Sequence, residues 1–268
     1  MKFILLLFIA YFSLITNLYA ENIDAFTAPS ADVFLSFVTA GKVTDVKIKI
    51  GDFVEEGTLL IALDDSIQKA KLEQLVAGYN NTVKEQSENS KLKQRKRDLS
   101  SLREATKTGA TSRKEMELEA LEVKQLEYSL EMLAFEKSQI LKQIKEEKIT
   151  LSQLNLYSPL SGIIESVLIE KGESVQPLKE IIRVVRISPL WIDVNIPLNS
   201  THDFDINDTC KVLFPSQSEE KILKDAMVIY KSFVADPGSD TLKYRLEVSN
   251  PENRIAGERV TVILSQQK

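Results

Sequence analysis

Residues 41–54 read Gly41-Lys-Val-Thr-Asp-Val-Lys-Ile-Lys-Ile-Gly51-Asp-Phe-Val54, and residues 162–175 read Gly162-Ile-Ile-Glu-Ser-Val-Leu-Ile-Glu-Lys-Gly172-Glu-Ser-Val175. The second stretch repeats the first at an offset of 121 residues, and the match continues to Leu60 with Ile181 and to Leu63 with Val184. Apolar and polar residues alternate as they do in strands, but a few short strands cannot form a stable layer alone. The repeat therefore predicts two half-modules that pack on each other about a pseudo-twofold axis.

The segment between the two copies has helical character. Residues 66–154 contain no proline and only two glycines, Gly78 and Gly109. Asp65 with Gln68, and Ser112 with Glu115, have the spacing of helix N-caps and their capping-box partners. Residues 66–107 and 113–154 are arms of equal length on either side of the turn at Gly109, each about 63 Å long as a helix. Equal arms predict an antiparallel helical hairpin.

The second arm carries a seam of coiled-coil spacing. Its positions are Met116, Glu119, Val123, Leu126, Leu130, Leu133, Lys137, Ile140, Ile144, Glu147, Leu151 and Leu154. The matching residues of the first arm are Leu72, Leu75, Val76, Tyr79 and Val83. Farther along, basic residues of the first arm (Lys91, Lys93, Arg95, Lys96, Arg97) lie opposite acidic residues of the second (Glu117, Glu119, Glu122, Glu127). We expect these charges to set the register more than the stability of the hairpin, and to form either a solvated face or a contact with another subunit.

The chain after Pro189 again has the pattern of strands. Apolar residues alternate with polar ones at Leu190, Ile192, Val194 and Ile196, at Leu242, Tyr244, Leu246 and Val248, and at Val260, Val262 and Leu264. Turn signals separate these runs at Asp236-Pro237-Gly238, Asn250-Pro251 and Ala256-Gly257. This pattern predicts a small antiparallel sheet or barrel of about eighty residues.

Composition limits the class of protein and its compartment. The 268 residues carry a net charge of −5, which does not favour nucleic-acid binding. Lys2, the apolar run from Phe3 to Ile15 and the small Ala20 have the pattern of a secretory signal peptide, with an uncleaved anchor as the alternative. We expect a location in the periplasm, in association with the inner membrane.

No catalytic, metal or phosphate-binding motif is present in the sequence. His202 lies in a polar segment, where we expect a surface side chain. Cys210 lies at the start of a predicted strand, where we expect a packed thiol. Asp64 and Asp65 are adjacent acids at a predicted helix N-terminus, a position that favours negative charge without any catalytic role.

The order of these parts resembles the periplasmic adaptor subunits, or HlyD-like membrane fusion proteins, of bacterial tripartite efflux pumps. Four stretches carry the resemblance: Leu35 to Gly57 with Leu63-Asp64, Gly109-Ala-Thr-Ser112-Arg-Lys-Glu115, Leu156-Tyr-Ser-Pro159-Leu-Ser-Gly162, and Trp191-Ile-Asp-Val with Asp236 to Val262. The resemblance implies a mixed α/β, elongated, multidomain fold in which a coiled-coil hairpin interrupts a lipoyl-like β-sandwich that is followed by a small antiparallel β-barrel.

The resemblance also implies the division of the chain. The expected segments are a signal peptide (1–20), an N-terminal linker or strand (21–34), two halves of the lipoyl-like domain (35–65 and 155–187), the hairpin (66–154) and the barrel (188–268). The structural glycines of the lipoyl motif are Gly41, Gly51, Gly57, Gly162 and Gly172. The membrane-proximal domain of fuller adaptors is expected to be absent or vestigial.

The resemblance implies that the protein acts as a conduit, without enzymatic activity or a cofactor. The barrel end would meet an inner-membrane transporter of the resistance–nodulation–division (RND) type, and the hairpin tip a TolC-type outer-membrane channel. Arg103, Gly109 and Ser112 are the candidate contacts at the tip, and a homo-oligomer, commonly a hexamer, is implied. The family motif has an Arg and a Leu where this chain has Ser101 and Ala105, so Arg97 or Arg103 would act in a shifted register.

Four other functions remain open. The same architecture serves adaptors of ABC-type exporters and of type I secretion systems. A coiled-coil scaffold without transport partners is a further possibility. A lipoyl or biotinyl carrier is the alternative of another class. Such carriers present a modified lysine where the two halves join, but here that junction reads Asp64-Asp65-Ser66.

Overall fold

The computed structural model describes residues 21–215 and 222–264, without the side chains of Glu21, His202 and Asp203. The expected signal peptide, residues 1–20, lies outside this part of the chain. The strands are β1 (Glu21–Leu35), β2 (Gly41–Val46), β3 (Phe53–Val54), β4 (Leu59–Leu63), β5 (Asn155–Tyr157), β6 (Gly162–Val167), β7 (Ser174–Val175), β8 (Ile182–Pro197), β9 (Thr209–Phe214), β10 (Ile222–Lys231), β11 (Thr241–Val248) and β12 (Arg259–Leu264). The α-helices are α1 (Ser66–Asn80), α2 (Val83–Lys107) and α3 (Arg113–Gln153), and residues Leu198–Asp203 form a 3-10 helix.

The two copies of the repeat form one core, which we call the repeat module (residues 35–63 and 154–184). Strands are exchanged between the halves: β2 of the first pairs with β7 of the second, and β6 of the second pairs with β3 of the first. Apolar side chains from both halves are buried together at Phe37, Val43, Leu60, Leu63, Ile164, Val175, Ile181 and Val184. Neither half could bury these side chains without the other.

Backbone hydrogen bonds in the repeat module repeat at the offset seen in the sequence. The Gly51 N–H donates to the Ile164 carbonyl over 2.8 Å, and the Gly172 N–H donates to the Val43 carbonyl over 2.9 Å. The two hydrogen bonds are equivalent. The donors Gly51 and Gly172 are 121 residues apart, and so are the acceptors Val43 and Ile164. This reciprocal bonding agrees with the predicted pseudo-twofold packing.

Six strands close a small antiparallel barrel in the order β1-β12-β9-β10-β11-β8, with β8 returning to β1. The apolar residues that alternate along β8, β11 and β12 all point into its core. The mixed α/β class with a helical hairpin and a small antiparallel barrel is therefore confirmed.

The sequence predicts a barrel of residues 188–268 alone, but in the structure β1 also belongs to the barrel. Glu21–Phe26 pair with β12, and Phe26–Pro29 pair with Leu190–Asp193 of β8. Beyond a register shift, Ala31–Leu35 pair with Ile182–Arg186 in the repeat module. The barrel and the repeat module are thus joined by two long antiparallel strands. Short-range alternation in β1 could not reveal a partner more than 150 residues away.

The hairpin consists of α1 and α2 packed against α3. All twelve predicted seam positions of the second arm are buried or half-buried, which confirms that seam. The first arm was expected to be one helix over 66–107, and this is wrong, because it is interrupted at Asn81 and Thr82. The backbone of Asn81 is extended, and its Oδ1 accepts a hydrogen bond of 3.1 Å from the Val83 N–H. This local bond competes with the helical one.

Two residues that were placed in the first-arm seam lie outside it. Val76 and Val83 are exposed, whereas Leu72, Leu75 and Tyr79 are half-buried. The predicted cap of α1 is also wrong, since the Asp65 side chain makes no cap hydrogen bond. Asp65 pairs instead with Lys69 over 2.9 Å.

Candidate interaction surfaces

The described residues contain no group of three or more His, Cys, Asp or Glu that could hold a metal ion. None of the helices that the structure describes is long and apolar enough to cross a membrane. Three surfaces stand out among the described residues: the hairpin tip, the outer face of α3 and the barrel.

The hairpin tip is a short, well-capped turn between α2 and α3. Gly109 has φ +76°, a backbone conformation that other residues rarely adopt. Ser112 and Glu115 form the predicted capping box: the Glu115 N–H donates to Ser112 Oγ over 3.3 Å, and the Ser112 N–H donates to a Glu115 carboxylate oxygen over 3.2 Å. The Thr111 hydroxyl and the Ser112 N–H both donate to this carboxylate and lower its pKa. The tip therefore holds one defined shape.

The other tip residues singled out from the sequence lie on α2. Arg103 is exposed and makes no hydrogen bond or ion pair within the described residues. Ser101 is exposed, and its hydroxyl donates to the Arg97 carbonyl, whereas Ala105 is half-buried. Arg103 is therefore accessible to a partner.

Ion pairs cross the hairpin below the tip and fix its register. Arg95 contacts Glu119 over 3.3 Å and Glu122 over 2.9 Å, and Lys96 contacts Glu127 over 2.7 Å. For these residues the predicted pairing is confirmed. Each exposed pair contributes only about 0.2–1 kcal/mol, so the set specifies alignment more than it adds stability.

A second apolar stripe runs along the outer face of α3, and the sequence analysis missed it. Its residues, which we call the outer stripe, are Leu118, Leu121, Tyr128, Met132 and Phe135, all more than half exposed. Each lies two residues beyond a seam position, which is about 200° around a helix. The outer stripe therefore faces away from α1 and α2. Its 3-4 spacing was the available signal, but the stronger apolar seam beside it obscured it.

The junction between the repeat module and α1 is built from two aspartates and a serine. The Ser66 hydroxyl and N–H donate to Asp64 Oδ1 over 2.7 and 3.1 Å, which lowers the pKa of this carboxyl group. The Asp64 N–H donates to the Lys42 carbonyl over 2.9 Å. The chain thus leaves the sheet and enters the helix at a fixed angle.

The structure explains why four of the five motif positions are glycine. Two of them lie close to other atoms, and two lie in turns with positive φ. A Cβ at Gly162 would lie 2.5 Å from the Val185 carbonyl oxygen, and one at Gly41 would lie 2.9 Å from Leu63 Cδ1. Gly51 and Gly172 have φ +90° and +95° in equivalent turns. Gly57, the fifth, also has positive φ and is considered in the Discussion.

The barrel contains the one cysteine and the one histidine of the chain. Cys210 is buried in β9, as predicted, and burial raises the pKa of its thiol to about 11. A thiol in this environment is unreactive. His202 belongs to the 3-10 helix, but its side chain lies outside the described residues, so the expectation of a surface histidine stays a prediction.

Solved structures with a similar fold include the following three. MacA from Actinobacillus actinomycetemcomitans is 18% identical with a TM-score of 0.68, over 92% of this chain and 80% of that one. The membrane fusion protein Spr0693 from Streptococcus pneumoniae R6 is 14% identical with a TM-score of 0.61, over 92% and 100%. A MacA-MexA chimera containing the Pseudomonas aeruginosa MexA alpha-hairpin domain is 17% identical with a TM-score of 0.54, over 92% and 82%.

At these identities the similarity shows a shared fold, that of membrane fusion proteins. No family model matches the chain, and no curated protein matches it in sequence. The likeness therefore rests on three-dimensional structure.

Proposed function

We propose that this protein is the periplasmic adaptor of a tripartite efflux pump and links an inner-membrane RND transporter to a TolC-type outer-membrane channel. One observation carries the proposal: the helical hairpin leaves the repeat module at the junction of its halves, while the barrel leaves through β1 and β8. With 41 residues, α3 is about 62 Å long, so the two ends of the protein can contact different partners. The shared fold with membrane fusion proteins supports this reading.

The repeat module would be a lipoyl-like β-sandwich opened at the place where a carrier presents its cofactor. The exchange of strands between halves and the reciprocal hydrogen bonds of Gly51 and Gly172 support this assignment. The module would act as a rigid base for the hairpin.

The hairpin tip would meet the outer-membrane channel, through Arg103, Gly109 and Ser112. The defined turn and the accessible Arg103 support this role, because a partner helix end could pack against a fixed shape. Ser101 and Ala105 differ from the family motif, so Arg103 would supply the cation from a shifted position.

The outer stripe would pack against a second copy of the chain. An apolar stripe of coiled-coil spacing on a long helix favours another helix as its partner. Several copies joined in this way would form the wall of a conduit, with a hexamer as the state implied by resemblance.

The barrel would face the transporter at the inner membrane. Its strand β10 exposes Leu223, Met227 and Tyr230 along one outer wall, which supports contact with another protein. Residues 1–20 would direct export and place the protein in the periplasm, either cleaved or kept as an anchor.

Site-specific photo-cross-linking in cells of the source organism tests this assignment. A photoreactive residue at Lys107, beside the tip, should give an adduct with an outer-membrane channel, and one at Leu223 an adduct with an inner-membrane transporter. Lys145, exposed on α3 far from the tip, is the matched control and should give neither. Mass spectrometry identifies the partners, and the absence of both adducts would refute the proposal.

The same experiment separates the alternatives. An ABC transporter at Leu223 would identify an ABC-type or type I secretion adaptor. A carrier role predicts a lipoyl or biotinyl adduct, and the intact mass of the purified protein decides this. We expect an unmodified mass, because α1 begins where a carrier would expose its lysine.

A further inference from the structure

The barrel has one end that points away from the repeat module. Every strand of the barrel is antiparallel to both neighbours, so strand starts and strand ends alternate around each rim. One rim collects the starts of β1, β9 and β11 and the ends of β8, β10 and β12. The repeat module is attached at the opposite rim, through the end of β1 and the start of β8. We call the first rim the distal end.

The N-terminal segment joins the barrel at the distal end. β1 begins at Glu21, directly after the sequence that contains the apolar run from Phe3 to Ile15. Glu21 pairs with Leu264, the last residue of β12. If this run is kept as an anchor, the membrane that takes it up lies next to the distal end.

The loop from β10 to β11 presents two apolar side chains at this same end. Phe233 is 94% exposed and Val234 is 78% exposed. Among the large apolar residues of the described chain, no other side chain is as exposed as these two. Two adjacent apolar side chains exposed in this way form a small apolar surface that is available for contact with an apolar partner.

The exposed pair is held in place by its surroundings. The Ser232 N–H donates to the Lys243 carbonyl over 2.8 Å, and the Asp236 N–H donates to the Thr241 carbonyl over 2.9 Å. The Val234 N–H donates to the Ser232 hydroxyl over 3.2 Å. Ala235 packs against the barrel core. Residues 233–235 lie between the backbone hydrogen bonds of Ser232 and Asp236 and thus form a fixed outward bulge. Its exposed tip is Phe233 and Val234.

The charges near the bulge argue against anionic lipid as the attraction. Asp236 follows it directly and Asp240 lies four residues farther on, whereas the charge of Asp205 at the same rim is balanced by Lys231. Acidic side chains are repelled by anionic headgroups, whereas aromatic and aliphatic side chains are favoured at the boundary of headgroups and acyl chains. Apolar contact is therefore the chemistry that fits.

We propose that the Phe233–Val234 bulge inserts into the surface of the lipid bilayer on the side where residues 1–20 leave the barrel. With residues 1–20 kept as an anchor, membrane attachment would have two points, the N-terminal segment and the bulge, which together would orient the barrel. This inference goes beyond the adaptor role, because it requires no transporter or channel.

Fluorescence of the full-length protein in phosphatidylcholine vesicles tests the proposal. Phe233→Cys and Val234→Cys would each be labelled with an environment-sensitive dye, with and without nitroxide-labelled lipid. Ile255→Cys is the matched control, since Ile255 is 69% exposed in the loop from β11 to β12 at the opposite rim. Cys210 is 2% exposed and its thiol has a pKa of about 11, so it does not compete for the label.

We expect blue-shifted emission and quenching by nitroxide lipid at positions 233 and 234, and neither effect at 255. Addition of anionic lipid should not increase the quenching. Emission typical of water at 233 and 234 would overturn the proposal. Blue-shifted emission without nitroxide quenching would also overturn it, because it would place the bulge against protein. Failure of either kind leaves the adaptor proposal intact, since no partner protein is present.

Discussion

Leu178 occupies in the second half of the repeat the position that Gly57 occupies in the first, and both have positive φ, +61° and +82°. Their environments are also equivalent. The Gly57 N–H donates to the Ser158 carbonyl and the Leu178 N–H to the Phe37 carbonyl, each over 2.8 Å. Phe37 and Ser158 are themselves 121 residues apart. The second half therefore has the same turn as the first. Its leucine is strained there, because the backbone conformation suits glycine.

Replacement of Leu178 by Gly should stabilise the repeat module. A left-handed conformation costs a non-glycine residue about 1–2 kcal/mol, and the added flexibility of glycine in the unfolded chain offsets about 0.5–1 kcal/mol of the gain. Leu178 is 74% exposed, so little burial is lost. We expect a net increase in unfolding free energy of up to about 1.5 kcal/mol, measured by urea denaturation.

Two neighbouring changes test the cause of that gain. Lys179→Gly, one residue later at ordinary φ, should lower stability. Gly57→Leu should lower it further, by about 1–2 kcal/mol. If Leu178→Gly and Lys179→Gly have the same effect, backbone strain is not the explanation.

An ion pair between a buried glutamate and an exposed lysine at the hairpin base gives a second prediction. Glu147 is in the seam and 5% exposed, and its carboxylate contacts Lys71 Nζ over 2.6 Å. Lys71→Ala leaves that carboxylate buried without its partner and should lower the unfolding free energy of the hairpin by about 1–3 kcal/mol. Glu147→Leu removes the buried charge and should be neutral or stabilising. Thermal unfolding followed by circular dichroism compares the two, and a larger loss in Glu147→Leu would contradict this account.

The cap at the hairpin tip gives a third prediction. Ser112→Ala removes the side chain that accepts from the Glu115 N–H and should destabilise the start of α3 by about 1 kcal/mol. Hydrogen exchange of the amides of residues 113–117 should become faster, with no change near Ile144. Ser138→Ala, at an exposed position within α3, is the control and should change neither region. Unchanged exchange in Ser112→Ala would show that the capping box contributes nothing.

Sequence periodicity predicted α3 well, because one apolar seam of constant phase runs through the whole helix. The first arm was harder to predict, since its seam changes phase. Leu72, Leu75 and Tyr79 set one heptad phase, whereas the buried Leu99 and the half-buried Leu92 lie one residue earlier than that phase requires. Such a change could be read from the spacing alone. The prediction of one straight helix over 66–107 does not include this change of phase.

Other features depend on contacts that no local pattern contains. β1 belongs to the barrel because its side chains meet β12, which lies more than 230 residues away in sequence. The exposure of Phe233 and Val234 likewise follows from the ladder bonds on either side of them. At the candidate tip, the capping box of Ser112 and Glu115 could be predicted because its geometry is local.

The break between α1 and α2 gives a fourth prediction, since it resets the phase of the seam. Substitution of both Asn81 and Thr82 by Ala removes the hydrogen bond that the Val83 N–H donates to Asn81 Oδ1. The double change therefore favours one continuous helix. A continuous helix would rotate Leu92 and Leu99 away from α3. We expect weaker protection from hydrogen exchange around Leu99 and loss of the contact between Arg95 and Glu119. Asn89→Ala, an exposed change within α2, is the control, and unchanged protection in the double variant would show that the break has no role in alignment.

The outer stripe of α3 gives the last prediction, which concerns assembly. If a second copy packs there, Met132→Glu and Phe135→Glu would each place a charge in an apolar helix–helix contact. Burial of one such side chain contributes about 1.5–3 kcal/mol, and 1.4 kcal/mol corresponds to tenfold in affinity. Each change should therefore weaken self-association at least about tenfold, as measured by sedimentation of the full chain in detergent. Leu141→Glu is the matched control, because Leu141 is an exposed leucine of the same helix outside the outer stripe, and it should associate like the wild type. Equal weakening in all three variants would indicate a general effect of charge, and no weakening in any would exclude the outer stripe as the contact between copies.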